Sequence, residues 1–132
     1  MKIVNVSGKR KRAIARARIK EGRGIVKINN LVLEQYQPKL ARDRILEPIK
    51  LAGDLSKKVD IRINVKGGGW NSQAEAVRLT IAKGLVEFSG DKNLKQLYLG
   101  YDRHLLIQDS RAKEMCKPND SKARAKRQKS YR

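Results

Sequence analysis

Strict alternation of apolar and polar residues marks two segments of this chain as strands. Between residues 59 and 65 every second residue is a branched aliphatic and the others are polar. Residues 15–20 alternate in the same way, and one of their two faces consists of Arg16, Arg18 and Lys20. Because successive side chains of a strand point to opposite faces, both patterns predict half-buried strands with one wet face. The cationic face of residues 15–20 is suited to follow a phosphate backbone.

Two shorter strands are predicted from weaker patterns. Residues 3–6 are apolar enough for a first strand, which the turn-like pair Ser7–Gly8 is predicted to end. Residues 21–24 contain two glycines, which accept positive φ, and are predicted to form a hairpin turn. Residues 25–28 would then return as a strand that follows residues 15–20.

One helix is strongly indicated by apolar residues at helical spacing. After Gly67–Gly69, Ser72 and Glu75 have the spacing of a capping box that opens a helix, and Gly90 is placed to end it. A single stripe of this helix is apolar and consists of Ala74, Val77, Ile81, Leu85 and Phe88.

Two weaker helices and a last strand complete the pattern. Residues 38–51 repeat apolar positions loosely, with Pro48 expected to disturb the last turn. Residues 91–99 form a shorter helical candidate, and the brief apolar run at residues 105–107 could form a final strand. Beyond Met115 no apolar periodicity remains.

The basic residues of the chain are concentrated at its two ends. The net charge is +19 over 132 residues, and residues 1–23 contain nine basic residues against one acidic. Residues 111–132 contain nine against two, whereas the 87 residues between hold fourteen basic and ten acidic residues. Mutual repulsion of this size opposes folding unless a polyanion neutralises it. We therefore expect a modest core with two basic arms, and a nucleic acid as its partner.

Several classes of chemistry are disfavoured by the residues present. One cysteine and one histidine cannot build a disulfide framework or a Cys/His zinc site within the chain. The full spacing of a nucleotide-binding P-loop is missing. A catalytic triad would have to use His104 with sequence neighbours, an acid such as Asp102 or Asp109 and a serine such as Ser110, without a supporting motif. We expect no enzyme activity, no metal, no cofactor and no small-molecule substrate.

The opening residues, Met1–Ser7, contain neither a long apolar stretch nor a small-residue cleavage site. No segment approaches the roughly 20 apolar residues that a membrane-spanning helix needs. A cytoplasmic protein without a membrane partner is the expectation.

Two features allow a structural and a functional interpretation. The Gly67–Gly69 run most often means a strand-to-helix turn, but its backbone amides beside a helix start could also hold a phosphate. His104 is either a packing residue or an RNA contact.

The aromatic residues are scattered, so recognition of RNA by shape and backbone is favoured over stacking of bases on a sheet. A DNA-binding chromatin protein and the protein subunit of an RNA-processing enzyme remain alternatives.

Three stretches together resemble the universal family of small-subunit ribosomal protein number nine. The first is Ser7–Ala13, and the second is the Gly67–Gly69 turn with Gln73, Ala74 and Arg78 after it. The third is the terminal region, with Asp109–Arg111, Glu114, Ala123–Arg124 and the final Gln128–Arg132. The ending Ser-Tyr-Arg is similar to archaeal and eukaryotic members. Residues 119–122 depart from the family, which commonly has a glycine-rich turn there, and Cys116 stands where a basic residue is frequent.

The resemblance implies an α+β fold. It would be a single domain with a four-stranded sheet packed against helices, ribosomal protein S5 domain 2-like, plus a long basic C-terminal extension. Residues 1–116 would form the RNA-binding core domain. Residues 117–132 are too polar to bury enough surface on their own and would form an extended basic C-terminal tail.

The same resemblance implies a structural constituent of the small ribosomal subunit. Its partners would be small-subunit ribosomal RNA in the head, neighbouring head proteins and P-site tRNA, whose anticodon stem-loop the tail would reach. The predicted RNA-binding residues are Lys9, Arg10, Lys11, Arg12, Arg16, Arg18, Lys20, Gly67, Gly68, Gly69, Arg78, Arg111, Lys117 and Arg124. The predicted tRNA-binding residues of the tail are Arg127, Lys129, Ser130, Tyr131 and Arg132.

Overall fold

A computed structural model describes residues 1–119, 122–124 and 128–132. The strands are β1 (Ile3–Arg10), β2 (Ala13–Glu21), β3 (Val26–Ile28), β4 (Leu31–Val32) and β5 (Val59–Lys66). The α-helices are α1 (Lys39–Ala52), α2 (Trp70–Ser89) and α3 (Lys92–Tyr101), and short 3-10 helices occupy Leu33–Gln35, Gly53–Lys58 and Arg103–Leu105. No helix in these ranges is long and apolar enough to span a membrane.

The strands form one mixed sheet in the order β1-β2-β5-β3-β4, in which only β3 and β5 run parallel. The predicted hairpin between β2 and β3 is therefore wrong, because β5 lies between them. Residues 22–25 instead cross the start of β5, where Gly22 N donates to Lys58 O and Ile61 N donates to Ile25 O, both at 2.9 Å. A strand that is fully apolar on its inner face is best buried at the centre of the sheet.

The sheet has five strands rather than the predicted four. The fifth, β4, is only two residues long and pairs antiparallel with β3, so it is too short to produce an alternation that sequence reasoning could detect. The predicted final strand at residues 105–107 is also wrong. Asp102 accepts a hydrogen bond from His104 N at 2.9 Å, and this cap starts a 3-10 helix that buries Leu105 against the core.

Helix α2 packs closely on the inner face of β1 and β2. The inner face of β2 includes three buried alanines, Ala13, Ala15 and Ala17, which leave room for the helix. A Cβ atom added at Gly8 of β1 would lie 2.6 Å from Thr80 Oγ1 of α2. Gly8 is thus a close-approach residue inside a strand, and the turn predicted at Ser7–Gly8 is wrong.

The predicted helices are confirmed, with different boundaries. Helix α2 begins at Trp70 rather than after Ser72, and its N-cap residue, Gly69, has no side chain that could accept a capping hydrogen bond, so the predicted capping box does not form. Gly90 ends the helix in the left-handed region at φ 66°, as predicted.

Helix α1 accommodates Pro48 in its interior and continues to Ala52. The carbonyl oxygen of Pro48 accepts a hydrogen bond from Tyr98 Oη at 2.7 Å, which joins α1 to α3. Burial raises the pKa of the Tyr98 hydroxyl, so this donor stays protonated. Both helices are thereby held in one layer over the sheet.

Gly84 provides a test of the close packing between α2 and the sheet. A Cβ atom there would lie 2.1 Å from Ile19 Cδ1 and 3.0 Å from Val6 Cγ2. Because Ile19 is fully buried and cannot move aside freely, we expect Gly84→Ala to lower the free energy of unfolding by about 1–3 kcal/mol. Urea denaturation followed by circular dichroism measures this change.

The matched control is Gly100→Ala in α3, where an added Cβ meets nothing within 4 Å. Helix propensity alone should then raise the free energy of unfolding by up to about 1 kcal/mol. If Gly84→Ala and Gly100→Ala changed the free energy of unfolding by the same amount, the close packing described for α2 would be contradicted.

Candidate nucleic-acid interface

The face of the sheet turned away from the helices is open and cationic. Arg16 and Arg18 of β2 are exposed on it, and so are Arg62 and Lys66 of β5. In the register of the sheet Arg18 lies directly opposite Arg62, so two like charges face each other across neighbouring strands. Such a pair is unfavourable in an isolated sheet. An anion placed between the two guanidinium groups would remove that repulsion.

Asp60, the acidic residue on this face, has a structural role in the backbone next to β5. Asp60 pairs in register with Lys20 and accepts hydrogen bonds from the backbone of Arg23 at 2.8 Å and of Ile25 at 3.1 Å. These two backbone hydrogen bonds lower the pKa of the Asp60 carboxyl group. The Asp60 carboxylate therefore stabilises the backbone of residues 22–25 where it crosses β5. It neutralises the positive charge of Lys20 only in part.

The turn between β1 and β2 extends the cationic surface. Lys11, with φ 53°, and Arg12 form this turn, and both are exposed, as is Lys9 before them. Arg12, Arg16 and Lys66 line one shallow depression together with Ile14, Asn64 and Gly67. The structure therefore brings together three groups that were predicted separately: the basic turn, the charged face of β2 and the glycine turn.

The first two glycines of the Gly67–Gly69 turn are required by its geometry. Gly67 and Gly68 have φ of 78° and 66°, and a Cβ atom at Gly67 would lie 2.5 Å from the carbonyl oxygen of Arg12. Gln73 Nε2 also donates to Gly67 O at 3.1 Å. The turn is thus packed against the β1–β2 turn and keeps Arg12 beside β5.

Arg10 and Arg78 lie on the other side, within a network of ion pairs. Only 14% of each side chain is exposed. Arg78 pairs with Glu47 of α1 at 2.6 Å and with Asp102 at 2.9 Å. Its Nε atom is buried without a hydrogen-bond partner among the described residues. The guanidinium group of Arg78 therefore joins α1, α2 and the end of α3, and the RNA contact predicted for it stays a prediction.

Arg10, the last residue of β1, reaches the chain beyond the last helix. Its Nε atom donates to Glu75 Oε2 of α2 at 2.9 Å, its Nη1 atom donates to Arg111 O at 3.1 Å, and its Nη2 atom lies 3.6 Å from Asp109 Oδ2. Arg111 in turn forms a forked hydrogen-bond pair with Asp109, with Nη2 to Oδ2 at 2.7 Å. Segment 109–111 is thereby attached to the body.

The pKa values of two aspartates in this network, Asp102 and Asp109, are lowered. Burial alone would raise the pKa of Asp102, but hydrogen bonds from His104 N and from Arg78 outweigh it and lower that pKa. Hydrogen bonds from Arg111 lower the pKa of Asp109 and raise that of Arg111. His104 is exposed and lies beside this network, where its backbone, rather than its ring, satisfies Asp102.

Residues 8–132 match the family model described as ribosomal protein S9/S16. A small ribosomal subunit protein uS9 of Desulfurococcus amylolyticus is 56% identical over 132 residues, which are 100% of this chain and 94% of the relative. The proteins of the same name from Methanothrix thermoacetophila and Thermoplasma volcanium are 51% and 48% identical, each over 100% of both chains.

The chain belongs to the ribosomal protein S9/S16 family. As a member of it, the protein is a structural component of the small ribosomal subunit, and the resemblance inferred from its three motifs is confirmed. The archaeal or eukaryotic type predicted from the ending Ser130–Arg132 agrees with these relatives from three archaea. Among the described residues of this S9/S16 member, no group of three His, Cys, Asp or Glu side chains could hold a metal ion.

Except for Ala123, the described residues of this family member after Asp109 are exposed. Lys117, Lys129, Ser130, Tyr131 and Arg132 all face solvent. Arg124 Nε donates to Glu114 Oε2 at 2.8 Å, and both side chains are more than half exposed. Arg127, predicted to contact tRNA, lies outside the described residues. The described residues after Leu105 include no helix or strand.

Sequence reasoning missed two cations of the open face, Arg62 and Lys66. Both stand at polar positions of the alternation in β5, so the pattern contained the signal. What it lacked was the pairing of β5 with β2, which places these side chains beside Arg16 and Arg18. The charged surface of this S9/S16 protein is therefore broader than one strand.

The glycine turn yields a test with an internal control. We expect Gly67→Ala to lower the free energy of unfolding by more than about 1 kcal/mol, because the new Cβ combines positive φ with a clash against the backbone of Arg12. Gly69→Ala, whose Cβ meets nothing within 4 Å, should change it little. Thermal unfolding of both variants measures the difference, and a destabilisation shared equally by the two would refute the geometry of this turn.

Proposed function

We propose that this family member binds ribosomal RNA with the open face of its sheet and the adjoining β1–β2 turn. We further propose that its C-terminal residues extend to P-site tRNA. The observation that carries the proposal is the cationic face itself. Arg16, Arg18 and Arg62 are exposed on the face that no helix of the described residues covers, and Arg18 and Arg62 repel each other unless an anion lies between them.

The composition of the sheet favours recognition of the RNA backbone. None of the five strands contains an aromatic residue, so unstacked bases have no platform there. Arginine binds phosphate oxygens through a planar fork of donors and needs no particular base sequence. The face is therefore suited to the shape and phosphates of a folded RNA in the head of the small subunit.

The body and the tail have separate roles in this proposal. Residues 1–116 form the RNA-binding core domain, and residues 117–132 form the basic tail, with seven basic residues and one acidic. Sixteen extended residues span roughly 50 Å, enough to leave the surface that the body occupies. The tail, from Arg127 to Arg132, then contacts the anticodon stem-loop through phosphates, so every tRNA is accepted alike.

The open face can be tested through the salt dependence of binding. We expect replacement of Arg16, Arg18 and Lys20 by glutamine to weaken binding to small-subunit ribosomal RNA. The slope of log K against log salt should fall by about 0.7–0.9 for each phosphate that the variant no longer binds. Filter binding between about 50 and 200 mM salt measures it.

The control removes the same charge from the helical side, with Lys50, Lys92 and Lys95 replaced by glutamine; all three are exposed. An equal fall in slope for both triple variants would mean that net charge alone, and not this face, governs binding. Efficient competition by duplex DNA would favour a general nucleic-acid-binding protein instead.

Deleting Ser130–Arg132 tests the tail. We expect small subunits that carry the shortened protein to assemble normally but to release P-site tRNA faster, since the body supplies none of the proposed tRNA contacts. Sucrose-gradient sedimentation checks assembly, and the dissociation rate of labelled tRNA checks retention. Unchanged retention in fully assembled subunits would reject the role of the tail.

A further inference from the structure

Arg10 is the only residue of the β1–β2 hairpin whose side chain is hydrogen-bonded or ion-paired, within the described part of the chain, to residues beyond α3. Its three contacts join α2, through Glu75, to the segment that leads into the tail, through Asp109 and Arg111. The neighbouring turn residues Lys11 and Arg12 are exposed instead.

We propose that Arg10 is a positioning residue that sets where and in which direction the C-terminal tail leaves the body. The inference deepens the proposed function, on which it rests for its consequence at tRNA, and it assigns Arg10 to holding the tail rather than to gripping RNA. The ion-pair network that does this, here called the tail clamp, consists of Arg10, Arg44, Glu75, Asp109 and Arg111.

The tail clamp is built on rigid elements. Arg10 lies at the end of a strand that is paired along its whole length with β2, and Glu75 lies in the second turn of α2. Glu75 is also 3.5 Å from Arg44 of α1, which hydrogen-bonds Asn71 as well. A carboxylate held from two sides keeps its orientation, so the guanidinium group of Arg10 is directed at segment 109–111 by the packed core.

The clamp reaches the chain where it leaves the packed body. Asp109 has only 11% of its side chain exposed and is held by Arg10 and Arg111, whereas residues 111–119 are all exposed. Residues after this point have no helix or strand in the described structure to direct them. The last part of the chain held to the packed body before the tail is thus segment 109–111, and a small rotation there would move the chain end by many ångströms.

The burial of Arg10 separates this role from RNA contact. With 14% of its side chain exposed and three hydrogen-bond or ion-pair partners within the protein, its guanidinium group has little surface left for a phosphate. Arg12 lies two residues further along the chain and is exposed, so it is better placed than Arg10 to bind an RNA phosphate. The same basic run would therefore contain one structural and one RNA-binding arginine.

The test uses the only tryptophan and the only cysteine of the chain, Trp70 at the start of α2 and Cys116 seven residues past Asp109. A dye on Cys116 accepts energy from Trp70 in the free, full-length protein, and the decay of Trp70 fluorescence gives the distribution of distances between them. We expect Arg10→Gln to broaden this distribution, whereas the control Arg12→Gln leaves it as in the parent protein.

A second variant, Asp109→Asn, raises the net charge by one, whereas Arg10→Gln lowers it by one. The tail clamp requires Asp109→Asn to broaden the distribution as Arg10→Gln does, and the double variant to broaden it by less than the sum of the two single effects, because either change removes the Arg10–Asp109 contact. In assembled subunits both single variants should speed release of P-site tRNA. Binding of ribosomal RNA by Arg10→Gln should keep its salt slope, whereas Arg12→Gln should lower it by the amount expected for one phosphate.

Unchanged distance distributions in both Arg10→Gln and Asp109→Asn would overturn the proposal. So would a reduced salt slope in Arg10→Gln with an unaltered distribution, since that result assigns Arg10 to RNA. Broadened distributions with unchanged tRNA release would leave the clamp intact and refute only the tRNA contact of the tail, so failures of the two proposals are distinguishable.

Discussion

The close packing of α2 on β1 and β2 is the constraint on which the remaining structure depends. Gly8, Gly84 and the alanines of β2 let the helix approach the sheet so closely that a single methyl group would collide with the opposite side. This contact puts the helices and the buried apolar core on one face of the sheet. The other face of the sheet does not contribute to the hydrophobic core and stays in contact with solvent. It can therefore carry several positive charges, which would be too costly to bury in a sheet covered on both faces.

The arginines of this protein divide into two groups with different work. Arg10 and Arg78 are mostly buried and cross-connect helices, the end of β1 and the chain after α3. Arg16, Arg18 and Arg62 stand in solvent, with no acidic side chain paired to them in the described structure. An RNA-binding protein needs both groups of arginines, because exposed arginines bind phosphates well only when the rest of the structure holds them in fixed positions. Under the proposed function, this division would let one short chain bind RNA with its open face and direct its basic end elsewhere.

Local patterns predicted the elements well and their pairing poorly. The alternation in residues 59–65 and the apolar stripe from Ala74 to Leu85 are confirmed, because a half-buried strand and an amphipathic helix each leave a period in the sequence. The hairpin at residues 21–24 is wrong because the partner of β2 is β5, nearly forty residues away. The capping box at Ser72 is wrong because the glycine turn already starts the helix at Trp70. The cationic face of β2 could be predicted, yet its neighbours Arg62 and Lys66 could not, since only the pairing of strands brings them to it.

By itself, the sequence determined the α+β composition, the basic ends, the cationic side of β2 and the family, because these depend on residue type, period and motif order. Only the tertiary structure decided that Gly8 lies inside a strand, that β5 separates β2 from β3, and that Arg10 and Arg78 are tied into the body while Arg12 and Arg16 are not. The physical reason is that burial and ion pairing are set by residues distant in the chain. Two arginines of one basic run, Arg10 and Arg12, therefore differ in burial and ion pairing because the fold places carboxylates beside only one of them.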